Sequence, residues 1–404
     1  MSAIKPRAET AAGERSPAAG SRSMAGRRWI APALICGLAV ALITIAPPSL
    51  ARAEQIDLAT LPAFKTPKAA QSLILALAAV GDRLVAVGER GIIVHSDDNG
   101  STWIQADVPV SVTLTAVTFP TPTEGWAVGH DGMILHSTDR GETWQVQFDG
   151  TRAAAAVRQD AERRVALARA RADAASPQDE AALAALDLAE TALDDAMAGV
   201  RFAPSRPFLA VAFQDARFGL AVGSFGQIFR TTNGGASWVY LGDRIDNQER
   251  LHYGAVMIDP SGRIVVAGEG GRITRSADRG EHWTVTALPE RGAIAGLRRV
   301  GPALLAYGGG GRVYRSVDDG TSWTRIVTCT GKTLIAGLVQ ADSVRLYDSG
   351  GAALVSDDGG LRWTCPAAPD SSPRPVAAVA ATADGKLVLA GPGGLRISDI
   401  VTAR

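Results

Sequence analysis

Six copies of a [Ser/Thr]-x-[Asp/Asn]-x-Gly-x-x-Trp box, a period of about forty residues between most of them, and a glycine-rich body of short apolar runs predict an all-β chain. The architecture they predict is a seven-bladed β-propeller of four-stranded blades with an inserted α-helical, coiled-coil hairpin. The boxes read SDDNGSTW from Ser96, STDRGETW from Ser137, TTNGGASW from Thr231, SADRGEHW from Ser276, SVDDGTSW from Ser316 and SDDGGLRW from Ser356. Their tryptophans, Trp103, Trp144, Trp238, Trp283, Trp323 and Trp363, follow one another at spacings of 41, 94, 45, 40 and 40 residues. The carbonyl-bearing side chains of Asp98, Asp139, Asn233, Asp278, Asp318 and Asp358 can accept bonds from turn amides, the glycine supplies a positive φ, and the tryptophan covers the adjoining sheet. All three roles are structural, so the boxes read as fold determinants and not as ligand sites.

Composition sets the outer bounds. With 404 residues and 46% hydrophobic content the chain is no disordered polar polymer, and 44 Gly with 21 Pro lacking a three-residue period exclude collagen. The 41 basic and 41 acidic residues balance, but residues 1–53 hold seven bases and two acids, which leaves the remainder acidic by five charges. That remainder lacks the basic footprint of a nucleic-acid binder.

The leader has Arg27 and Arg28, an apolar run from Trp29 to Ala46, then Pro47, Pro48 and Ala51-Arg52-Ala53 before Glu54. This is the pattern of a secretory signal cleaved after Ala53, with Met24 as an alternative start. Residues 54–404 are therefore expected in the periplasm or outside the cell, as a monomer without membrane insertion after cleavage. The first segment beyond the leader, Gln55 to Thr60, alternates at period two and is assigned as the strand that closes the last blade.

Each box is preceded by a glycine hairpin: Gly88 and Gly91, Gly129 and Gly132, Gly223 and Gly226, Gly268 and Gly271, Gly308 and Gly311. Asp348 replaces the first glycine in the sixth copy, and a seventh, shortened copy runs from Gly391 to Ser398. Strand pairs such as LILALAAV with RLVAVG and LTAVTF with GWAVG precede the hairpins, which gives seven units of about 43 residues.

The anomalous spacing comes from residues 151–199, an Ala-rich, charged run between the second and third units. Arg152 to Asp173 reads as one helix. Ser176 and Pro177 read as the cap and first turn of a second helix that ends at Gly199. Val157, Ala161, Val165, Ala168 and Ala172 form one stripe and Leu183, Leu186, Leu193 and Met197 the facing one. The hairpin's charges complement each other internally, so the ring has no evident need of it. Joining Gly150 to Val200 should leave a folded propeller.

The repeats LVAVGERGIIVHSDDNGSTW, GWAVGHDGMILHSTDRGETW and GLAVGSFGQIFRTTNGGASW resemble the bacterial neuraminidase-type repeat proteins and, more specifically, the photosystem II stability and assembly factor-like propellers. The likeness runs from about Gln55 to Ser398. It implies an exported seven-bladed propeller that helps a membrane-protein complex assemble, with no cofactor and no chemistry of its own. The helical hairpin suggests a non-photosynthetic bacterial branch, with a transport system among the candidate complexes.

In a four-stranded blade the second-to-third strand turns and the blade-to-blade loops share one face, opposite the boxes. That face would gather Glu89, Arg90, His130, Asp131, Ser224, Phe225, His252, Tyr253 and Glu269, the loop from Gly242 to Tyr253, and the hairpin. These residues are the candidate partner-binding surface. The rival class is a carbohydrate-binding or glycoside-hydrolysing propeller, in which carboxylates such as Glu89 and Glu269 would act as acid and base. Its tyrosine nucleophile and arginine clamp have no counterpart among Tyr240, Tyr253, Tyr307, Tyr314 and Tyr347. The chain is read as a non-enzyme.

No HExxH or Cys-x-x-Cys spacing suggests a metal. His95 and His136 share a repeat slot with Arg230, Arg275 and Arg315, which reads as an inter-blade packing or salt-bridge position; a basic ring gripping an acidic partner is the sharper alternative. After cleavage two thiols remain, Cys329 and Cys365, and the sequence leaves open whether they pair.

Overall fold

The computed structural model describes residues 57–176, 179–201, 206–365 and 374–399. The leader and residues 55 and 56 of the assigned closing strand lie outside them. Seven antiparallel sheets follow in chain order, five of four strands and two of three. The first is built from Ile74–Val80, Arg83–Gly88, Ile93–Ser96 and Ile104–Gln105, each paired with its predecessor in sequence. The second strands do not alternate between buried and exposed: Arg83–Gly88, Gly125–Gly129, Gly219–Gly223 and Ile264–Gly268 are buried throughout. Burial at successive residues means that both faces of the strand are covered, as in a sheet packed between two others.

Each sheet packs on the next through such residues. Val85, Val87 and Ile93 of the first sheet meet Leu114, Ala127, Leu135 and the box residue Trp144 of the second. The first strand of each sheet also lies beside that of the next. The last, Ala378–Ala381, lies beside the first, Ile74–Val80. Residues from all seven first strands line one channel of about 240 Å³. At the joint between the last and first sheets the Ala383 amide donates to Asn99 Oδ1 at 3.0 Å.

Four strands per sheet is not uniform. Among the described residues, the sixth sheet has a bridge between Val355 and Thr364 where the first five have a fourth strand, and the seventh has three strands. The strand assigned near residues 55–60 is not one over its described part. Asp57 Oδ1 accepts the Ala59 amide and Asp57 O the Thr60 amide, closing a turn. The chain then runs along the first sheet: Ser111 donates to Leu58 O, Ala63 to Val108 O, and Lys65 Nζ to Gln105 O and Ala106 O. An aspartate that satisfies its own backbone overrode the period-two pattern, and the segment straps the outer edge of the first sheet, not the last.

The insertion forms two paired helices, α1 (Gly150–Ala174) and α2 (Glu180–Arg201). Asp149 caps α1 by accepting the Arg152 amide at 2.9 Å. Asp179 accepts the Ala182 amide at 3.0 Å, so α2 opens at Glu180, later than a start at Pro177 implies. Ala161 and Val165 are buried along α1 as expected, but on α2 the buried positions are Ala189 and Ala196. Leu183 and Met197, placed on the seam from sequence, are 51% and 52% exposed. Alanine at the contact lets the helices approach closely and leaves the larger side chains at its margin.

The hairpin is not independent of the ring, contrary to the expectation. Ala153, Ala156 and Val157 pack in one cluster with Trp126, Phe148, Phe208, Phe229 and Trp238. The first turns of α1 thus complete the core between the second and third sheets. No helix among the described residues is long and apolar enough to cross a membrane. Cys329 and Cys365 form a disulfide with Cα atoms 6.0 Å apart, which ties the segment after the fifth sheet to the segment after the sixth box.

Candidate partner-binding cleft

The glycine hairpins are one-turn 3-10 segments, among them Glu89–Gly91, His130–Gly132, Ser224–Gly226 and Glu269–Gly271. Each presses on the connection between two sheets. Gly91 has φ +72 and its amide donates to Val112 O; a Cβ there would stand 1.9 Å from Val110 O. Only glycine satisfies both the left-handed backbone and that approach. Turns and connections therefore share a face, and the boxes begin at the opposite end of the same third strands. The middle residues Arg90, Asp131 and Phe225 also have positive φ, at 53°, 56° and 56°.

The predicted residues divide between the first two sheets and the third and fourth. Glu89 accepts the Leu73 amide at 2.9 Å and Glu269 the His252 amide at 3.0 Å, so both carboxylates cap the entry of a first strand. They stand on the first and fourth sheets in the same repeat role. Arg90 and His130 are exposed, and Asp131 is half-buried. Burial, reinforced by Asp57, raises the Asp131 pKa. Phe225, His252 and Glu269 do come together: the His252 ring meets the Phe225 ring edge-on at 4.9 Å, and Phe225 is 48% exposed. Ser224 and Tyr253 are buried, and burial pushes the Tyr253 phenol up to about 12. They support the surface from beneath and cannot touch a partner; the packing of the 242–250 loop over Tyr253 was invisible in sequence.

The boxes satisfy themselves. In the first, Ser96 Oγ donates to Asp98 Oδ1, the Gly100 amide to Ser96 Oγ, the Thr102 amide to Asp98 Oδ1, and Trp103 Nε1 to Gly100 O. The same hydroxyl-to-box-residue and glycine-amide bonds recur at Asp139, Asn233, Asp278, Asp318 and Asp358. Trp144, Trp283 and Trp323 repeat the indole bond, while the Nε1 atoms of Trp238 and Trp363 are buried and have no partner among the described residues. Bonds from the Thr102 and Ser322 hydroxyls hold the Asp98 and Asp318 carboxyls down at about 2. The basic slot serves the joints between sheets. Arg230 reaches Arg279 O and Glu281, and Arg315 reaches Gly359 O, each in the next box. His95 and His136 are lowered by burial, and His136 stacks on Trp126 at 4.4 Å.

The opening on the loop face lies where the hairpin meets the ring. A cleft of about 460 Å³ is walled by α1, α2, Tyr240, Phe225 and the loop from Gly242 to Arg250. Three ion pairs clamp it: Arg163 of α1 bridges Asp160 and Asp243, and Arg250 of the loop meets Asp195 of α2 at 2.8 Å. Burial, with Asp243 close by, raises the Asp160 pKa. Arg206, just after the hairpin, stands over the Phe225 ring at 5.3 Å. Burial, with Arg250 nearby, lowers its pKa. Arg164, Arg206 and Tyr240 were missed from sequence as cleft residues because folding alone unites positions on α1, after α2 and on the third sheet.

The family model of the photosynthesis system II assembly factor YCF48 matches residues 70–153 and 197–365, on either side of the hairpin. No curated protein matches the chain in sequence. Among solved structures it is similar to YCF48 bound to D1 peptide, at 16% identity and a TM-score of 0.57, covering 82% of this chain and 93% of that one. YCF48 from Cyanidioschyzon merolae aligns at 16% identity and a TM-score of 0.53, over 81% and 95% of the two chains. The WD40 β-propeller domain of Doa1 aligns at 11% identity and 0.54, over 84% and 95%. These likenesses establish a propeller fold, and the repeats matched on both sides of the insertion mean that the chain belongs to the YCF48 assembly-factor family.

Proposed function

We propose that the chain is an exported, non-enzymatic, seven-bladed propeller that holds a segment of a membrane protein while its complex, a transport system among the candidates, assembles. The observation that carries this reading is the division of the molecule into a ring matched by an assembly-factor family and a hairpin, most of it outside that match, which walls a cleft on the loop face. A solved family member holds a D1 peptide, which supports a peptide as cargo. The Cys329–Cys365 disulfide supports an oxidising compartment and, with it, removal of the leader after Ala53. The capping roles of Glu89 and Glu269 weigh against glycoside hydrolysis.

The test is a photo-crosslinker placed at Phe225 in cells. A crosslink to a membrane protein, together with loss of that protein's complex when the gene is deleted, is the expected result. Crosslinks only to soluble proteins, or an unaffected complex, would overturn the reading. Intact mass of the exported protein should correspond to a chain that starts at Glu54.

A further inference from the structure

The cleft wall carries four acids and four arginines, but they do not all pair with one another. Asp160 and Asp243 are bridged by Arg163, Asp195 is met by Arg250, and Asp246 lies 3.6 Å from Arg272. Arg244, also in the wall, is taken by Glu281 of the fourth box. Two guanidiniums of the wall, Arg164 and Arg206, form no ion pair or hydrogen bond among the described residues, and neither does the Tyr240 hydroxyl. Asp243 Oδ1 also lacks a partner, but it is sealed from solvent and cannot meet a ligand. What faces the opening is thus a set of donors in want of acceptors. Half-buried donors of this kind gain most from a charged acceptor, because solvent no longer competes fully for them.

The apolar parts of the wall set the size of the occupant. Phe225 is 48% exposed and Leu188 52% exposed, and about 460 Å³ is more than a lone anion fills. We infer that this cleft binds an acidic stretch of polypeptide, with carboxylates on Arg164, Arg206 and Tyr240 and an apolar side chain against Phe225 and Leu188. The inference rests on the assembly reading above and adds the chemistry of the segment that is held. Neither half of the molecule has the site alone: α1 supplies Arg164, and the ring supplies Tyr240 and Phe225.

The experiment uses the mature protein and a short fluorescein-labelled peptide of alternating Glu and Leu, read by anisotropy. Its Gln-Leu counterpart should bind about tenfold more weakly or worse, and Arg206→Gln and Arg164→Gln should each weaken the acidic peptide about tenfold while leaving the melting temperature unchanged. Tyr240→Phe should cost a smaller factor. Affinity should fall as salt is raised. Equal binding of the two peptides, or unchanged binding in R206Q and R164Q, would overturn the inference. Two competitors separate other anions: inorganic phosphate should not displace the peptide, and vesicles of phosphatidylglycerol should not bind. Arg206-dependent vesicle binding without peptide binding would replace the peptide with a lipid headgroup. A Phe225 crosslink that survives in R206Q would leave the assembly reading standing and remove this one.

Discussion

The box turns and the hairpin cleft lie at opposite ends of the blades and obey opposite rules. Each box turn is closed by bonds within itself: in the first, Asp98 takes Ser96, Thr102 and the turn amides, and Trp103 returns a bond to Gly100. The cleft is built from helices, a loop and a turn, and among the described residues it leaves two guanidiniums and a phenol without acceptors. A repeated unit must be complete wherever it stands, since it meets only its neighbours. Unmet donors are tolerable where a single copy faces an opening, and that asymmetry separates the scaffold of this molecule from its recognition surface.

Both ends of the blades depend on the glycine turns. Gly91→Val places a Cβ against Val110 O at a left-handed φ and should cost about 3 kcal/mol or more, visible as loss of the cooperative urea transition. Unchanged unfolding would mean that the turn is free to relax and does not fix the joint between sheets.

Next is the hairpin. Replacing residues 150–200 with a linker strips Ala153, Ala156 and Val157 from the cluster around Trp126 and Trp238, and should cost roughly 2–4 kcal/mol. Removing only residues 166–190 keeps those turns and should cost less than about 1 kcal/mol. If the two deletions unfold at the same urea concentration, the root of α1 is not part of the core.

A pair of tryptophans sharpens the box rule. Trp144 and Trp238 are both buried, but only Trp144 Nε1 has an acceptor, Gly141 O at 3.0 Å. Trp144→Phe should therefore be about 1 kcal/mol more costly than Trp238→Phe in equilibrium unfolding. Equal costs would show that the indole bond adds nothing to the box.

The smallest effect is a pH dependence. Asp98 and Asp318 are held at about 2 against an ordinary value of 3.8. A carboxyl depressed in the folded state adds stability above its unfolded pKa, and that addition disappears as pH falls through the folded value. The urea midpoint should decline between about pH 4 and pH 2, and Asp98→Asn should flatten part of the decline. A parallel decline in the variant would assign it to other carboxyls.

Much of this was legible because it recurs. Six boxes and their glycines announce a repeat whatever surrounds them, and a side chain that bonds residues two to four positions away leaves its spacing in the sequence. The slot holding Arg230 and Arg315 was legible for the same reason, since the next box lies one period on. The strap at Asp57–Thr60 misled because alternation is a weak signal over a few residues, and one aspartate turned it. Glu89 and Glu269 were found as polar residues on the right face, but their bonds to strand amides could not be.

The repeat, its glycine turns, its boxes and the place of the insertion can be read along the chain, because each depends on contacts that are local or one period apart. It took the fold to show that the root of α1 completes the ring's core, that Cys329 meets Cys365, that Tyr253 is buried, and that Arg164, Arg206 and Tyr240 share one cleft. Those meetings join residues from different elements at no fixed spacing. Closure of the ring and docking of the hairpin bring them together, so no periodicity along the chain could have revealed them.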